Sequence, residues 1–65
     1  MIKIKDEVYK RGYTIDSFCE KTGISRYTFM DINNGKHKPR GETIYLIAKA
    51  LDIPYEDVKE YYEAI

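Results

Sequence analysis

Phe18-Cys19-Glu20-Lys21-Thr22-Gly23-Ile24-Ser25-Arg26-Tyr27-Thr28-Phe29-Met30-Asp31-Ile32-Asn33-Asn34-Gly35 decides how this chain folds. Gly23 suits a helix stop that needs a left-handed backbone, because glycine carries no Cβ to clash there. Ser25, two residues on, is a residue type that accepts a hydrogen bond from the free amides of a helix start. Ile24 and Phe29 fall where a hydrophobic staple clamps the entering chain onto the first turn. Asn34-Gly35 then stops the second helix. Helix, short glycine turn and helix is the helix-turn-helix layout, whose second helix is commonly laid in the DNA major groove.

Outward from that stretch, helical periodicity continues in both directions. Ile15, Phe18, Cys19 and Thr22 repeat at i, i+3, i+4 and i+7, which predicts a second helix over about 14–22 with Thr14 as its N-cap. The third, reading helix is expected over about 25–33. Upstream, Ile4 and Val8 lie one turn apart in a first helix that ends before Gly12. Downstream, Ile44, Ile47, Ala48 and Leu51 form the apolar stripe of a fourth helix. Pro54 opens a fifth over 54–65, where Val58, Tyr61, Tyr62 and Ile65 share a face. No stretch reads as a strand. The expectation is an all-α, compact five-helix fold making one domain of residues 1–65.

Composition narrows the function classes. Sixty-five residues with 43% hydrophobic and 34% charged side chains describe one small globular core. No apolar run approaches the roughly 20 residues that span a bilayer. Met1-Ile2-Lys3-Ile4-Lys5 alternates charged and apolar residues where a secretory leader would be apolar, so a cytoplasmic (nucleoid-associated) location is expected. One cysteine fits a reducing compartment. Net charge is zero, but it is unevenly spread. Over residues 20–40, Lys21, Arg26, Lys36, Lys38 and Arg40 outnumber Glu20 and Asp31. Over 41–65, Glu42, Asp52, Glu56, Asp57, Glu60 and Glu63 outnumber Lys49 and Lys59. A basic middle suits phosphates, with the acidic end turned away.

Glu20-Lys21-Thr22-Gly23-Ile24-Ser25-Arg26, then Asn34-Gly35-Lys36 and Lys38-Pro39, then Ile47-Ala48-Lys49-Ala50-Leu51 stand in the order and spacing of one family. The chain resembles the Cro/repressor-type (XRE-like) helix-turn-helix proteins over roughly residues 4–58. The resemblance implies a lambda-repressor-like DNA-binding domain of five helices that binds operator DNA as a dimer on a near-palindromic site. It implies base reading by Arg26, Tyr27, Thr28 and Asp31, and phosphate contacts around Asn34, Lys36, Lys38 and Arg40. Departures are specific. Ile15 stands where the family's glutamine clamps a phosphate. Val8 and Asn33 stand where many members carry an Arg–Glu ion pair, so both partners are replaced together. Cys19 replaces a small apolar residue, and Gly41 a larger apolar one, which loosens the expected start of the fourth helix. Asp31 stands where neutral or basic residues are common; a carboxylate there is repelled by phosphate unless it accepts a hydrogen bond from a cytosine amino group.

Each residue also has a plainer reading. Arg26 either bonds a guanine or is a solvated charge on an exposed first turn. Tyr27 either touches a base, a thymine methyl or a phosphate, or packs locally. Met30 either meets the sugar-phosphate backbone or is simply surface. The Lys36–Arg40 loop either holds phosphates, giving salt-dependent affinity without sequence information, or is a solvated charge run. His37 has no second ligand at metal spacing, and Cys19 reads as core, so no metal, cofactor or catalytic residue is expected. Val58, Tyr61, Tyr62 and Ile65 are expected to form a two-fold dimer contact, the alternative being that they pack back on the first helix. The favoured function is a sequence-specific DNA-binding regulator of the bacterial or phage repressor type. With no room for a ligand-sensing domain, its signal would come through a partner protein, its expression level or dimerisation. The alternative is a protein-interaction module of the same fold, an antirepressor or adaptor. It is supported by the zero net charge, Ile15 and Asp31.

Overall fold

A computed structural model describes residues 3–64 as five helices: α1 (Ile4–Lys10), α2 (Ile15–Thr22), α3 (Arg26–Asn33), α4 (Gly41–Leu51) and α5 (Tyr55–Ala64). Local chemistry explains most of the boundaries. At the start of α2 the Thr14 hydroxyl oxygen accepts the Ser17 amide at 3.0 Å, while the Thr14 amide donates to the Ser17 hydroxyl at 2.8 Å. Two amides that a helix start leaves unpaired are thereby satisfied reciprocally. Gly23 ends α2 at φ +79°, and its amide donates to the Cys19 carbonyl. Gly35 follows α3 at φ +75°. Its amide donates to the Ile32 carbonyl, and the Lys36 amide reaches back to the Asp31 carbonyl at 2.9 Å. This six-to-one and five-to-two pairing is a Schellman stop.

One core runs through all five helices. Ile4 and Val8 of α1, Phe18 and Cys19 of α2, Ile24 of the turn, Phe29 and Ile32 of α3, the Ile44–Ile47–Ala48–Leu51 stripe of α4, and Val58 and Tyr62 of α5 are buried together. Phe18 is its hinge: its ring lies 5.5 Å from that of Phe29 and 5.6 Å from that of Tyr13. Each fully buried side chain of this size is worth about 1.5–3 kcal/mol against exposure, largely offset by about 1–2 kcal/mol of backbone entropy for every residue ordered. α4 packs most extensively on α5, and α2 touches α1, α3 and α4. The third helix is thus braced from behind, and its outer side is left bare.

Two replacements noted in the sequence have structural counterparts. Where an ion pair is common in the resembling family, the Asn33 side-chain amide donates to the Phe29 carbonyl at 2.7 Å, and the Tyr62 hydroxyl donates to the Asn33 oxygen at 3.5 Å. Asn33 is thus tied by neutral bonds to its own helix and to α5, while Val8 of α1 is buried in the core, so no charge is desolvated at either position. At Gly41 the Tyr55 hydroxyl lies 3.1 Å from where a Cβ would be, so the phenol occupies the space that a larger residue would fill.

The fifth helix departs from the expected dimer face. Val58 is 0% exposed and Tyr62 2%, both sealed in the chain's own core, while Tyr61 is half-buried at its edge with its ring against that of Tyr62. Ile65 lies outside the described residues. A side chain enclosed by its own chain has no surface to offer a second copy, so Val58 and Tyr62 are packing residues.

Candidate nucleic-acid interface

α3 presents Arg26 and Tyr27 from its first turn, both exposed, with Tyr27 at 83%. They stand out because Ser25 caps the helix, accepting the Thr28 amide at 3.5 Å, while Phe29 and Ile32 turn the opposite side into the core. Thr28 is half-buried and lines a concave surface shared with Ile32, His37, Lys38, Pro39, Arg40 and Thr43. One continuous face therefore combines the start of α3 with the basic loop and the first turn of α4. Lys38 and Arg40 are exposed and form no ion pair among the described residues. Asn34, also exposed, caps the C-terminal end of α3, and its amide donates to the Met30 carbonyl. Met30 is half-buried, so less of it is offered to a ligand than a wholly outward position would give.

Two carboxylates lie on the same face. Asp31 faces the loop that follows its own helix, 3.9 Å from the Lys36 ammonium and 4.0 Å from His37 Nε2. Lys36 is thus partly occupied, unlike Lys38 and Arg40. Asp16, in the first turn of α2, lies 3.4 Å from Arg26 Nε. Nothing in the linear sequence singled out Asp16. Its signal was a carboxylate next to Ile15 at one helix start, facing an arginine at the next helix start, and only the angle of the turn brings them together. Both pairs are exposed, so each contributes little to stability, on the scale of 0–1 kcal/mol.

The chemistry of this face is donor-rich. Among the described residues no group of three or more His, Cys, Asp or Glu side chains is placed to hold a metal. Cys19 is buried, and that burial, with Asp16 adding to it, pushes its thiol pKa up, which keeps it protonated and unreactive. No described helix is long and apolar enough to cross a membrane.

No match was found among curated proteins, and none among solved structures. The sequence does match one family, described as the Cro/C1-type HTH DNA-binding domain, over residues 3–64. That span takes in all five helices and the basic loop after α3. This chain belongs to the Cro/C1-type helix-turn-helix DNA-binding domain family.

Proposed function

We propose that this protein is a sequence-specific transcription regulator, a small bacterial or phage-type repressor that acts in the cytoplasm as a dimer on a near-palindromic operator. The observation that carries the reading is the surface joining Thr28 of the first turn of α3 to Lys38 and Arg40, cations with no ion pair among the described residues. Arg26, Tyr27, Thr28 and Asp31 read base edges: the arginine through a guanine, the aspartate through a cytosine amino group. Asn34, Lys36, Lys38 and Arg40 hold phosphates and set register and salt dependence. For the dimer, Tyr61 is the member of the expected α5 face that keeps exposed surface among the described residues.

The test is selection from a random-sequence DNA pool, with the enriched sites re-measured across a salt series. A near-palindrome with half-sites about one helical turn apart, losing affinity steeply in salt, is the expected result. A second reading, a protein-interaction module of the same fold, is favoured by one observation. Asp16 and Asp31 place two negative charges on the face that phosphates would approach. Absence of any enriched sequence, with weak and uniform retention of DNA, would select that reading instead.

A further inference from the structure

Arg26, though exposed, lies beside a carboxylate of the preceding helix. Its Nε, the inner donor of the guanidinium, lies 3.4 Å from Asp16 Oδ1, and Arg26 pairs with no other carboxylate among the described residues. A guanidinium has five N–H donors in a rigid plane, and the bidentate contact to a guanine O6 and N7 needs two of them. A carboxylate beside the inner edge biases the orientation of the group and leaves donors of the outer fork for a second partner. The alternative partner for a free arginine beside DNA is a phosphate, which is the same for every sequence. Asp16 works against that partner twice. It draws the guanidinium toward α2, and its own negative charge makes a phosphate unwelcome at this edge of the face. Ile15 beside it has no donor to hold a phosphate there either.

We propose that Asp16 is a positioning residue for sequence readout: it orients Arg26 toward a guanine edge and denies it the backbone, converting affinity into discrimination. This rests on the DNA-binding reading given above. Asp16 touches no base in this scheme; it acts through Arg26 alone.

The test is a double-mutant cycle of Asp16→Asn and Arg26→Ala on the selected operator and on its single-base-pair variants, with thermal melts of every protein. Wild type is expected to prefer guanine at one position per half-site. In D16N that preference falls by about two- to fivefold, the scale of an exposed ion pair. Affinity for unrelated DNA rises by a similar factor. In the R26A background, D16N changes neither. A merely structural Asp16, acting as a favourable first-turn acid on α2, would lower the melting temperature and weaken all sequences alike, which overturns the proposal. So would an unchanged base profile.

A DNA-free arm separates the two levels of the argument. The Arg26 Nε–H resonance should be restrained in wild type and averaged in D16N. If the resonance shows the pair and no sequence is ever selected, the DNA-binding reading fails and takes this inference with it. If sequences are selected but D16N reads them as wild type does, this inference fails alone.

Discussion

Truncating Tyr62 separates a core role from an interface role with one residue. Its ring is 2% exposed and edge-on to Tyr61, so Tyr62→Ala removes a large buried ring and leaves a cavity. Buried aromatic truncations cost about 3–5 kcal/mol, against a total of roughly 3–10 kcal/mol for a domain of this length. The variant should be largely unfolded at 37 °C. Tyr62→Phe keeps the ring and loses only the hydroxyl, whose bond to Asn33 is long at 3.5 Å. Asn33 retains its 2.7 Å bond to the Phe29 carbonyl. The expected loss is about 0.5 kcal/mol, or roughly 2–4 °C in Tm. The assay is urea unfolding followed by circular dichroism at two protein concentrations a hundredfold apart. Core burial predicts midpoints that shift equally at both concentrations. A Tyr62→Ala protein as stable as wild type when dilute, and weaker only when concentrated, would place Tyr62 at an interface and refute the packing argument. A pH arm checks the same burial. Desolvation raises the Tyr62 phenol pKa above the ordinary value of about 10, and Tyr61 beside it adds to the shift. The folded state thus favours the protonated form. This contribution is intact below pH 10 and is lost as pH climbs from there toward the folded pKa, at up to about 1.4 kcal/mol per pH unit. Tyr62→Phe should remove that alkaline decline.

Other expectations bear on the DNA face and on α4. Lys38→Ala and Arg40→Ala should each weaken binding to every sequence alike and lower the slope of log affinity against log salt by about 0.9; an unchanged slope in both would remove the loop from the interface. Asp31→Asn should cost about 1–3 kcal/mol of discrimination at one cytosine position, measured by titrating operator variants, whereas tighter binding to all sequences equally would make Asp31 a brake on DNA binding and not a reader. Gly41→Ala should raise Tm by about 3 °C, because replacing glycine narrows the unfolded ensemble by about 0.5 kcal/mol. The Tyr55 hydroxyl, 3.1 Å from the new methyl on a side chain 37% exposed, has room to swing aside. A lower Tm would show that this hydroxyl is fixed in place.

The fold was legible because its signals are local. Thr14 and Ser25 lie where a helix start needs an acceptor, Gly23 and Gly35 where the chain needs a positive φ, and the α4 stripe repeats at the helical period. None of these depends on where the rest of the chain goes. The face of α5 was ambiguous for a geometric reason. From Val58, a step of three residues to Tyr61 and a step of four to Tyr62 diverge to opposite sides of the helix line. Both tyrosines lie on one broad stripe, and periodicity alone does not choose which one the core closes over. The choice is made by tertiary packing, which seats Tyr62 in the core shared with α4 and leaves Tyr61 at its edge.

The charges of the proposed DNA-binding face were the least legible part, and the reason bears on function. A sequence reports which ions a segment contains, and residues 20–40 are basic by that measure. Pairing depends instead on the angle between helices, which brings Asp16 to Arg26 across the turn, and on the Schellman stop, which folds Lys36 and His37 back over Asp31. A face of unpaired cations binds any duplex and relies on base contacts for a small increment of selectivity. Here two carboxylates already hold part of the cationic charge, leaving Lys38 and Arg40 as its freest members. On the DNA-binding reading, non-specific attraction is reduced before any base is read, and a larger share of the binding free energy must come from the edges that Arg26 and Asp31 recognise. Zero net charge is then compatible with operator binding, since specificity is a difference between affinities and lowering the weaker one raises it.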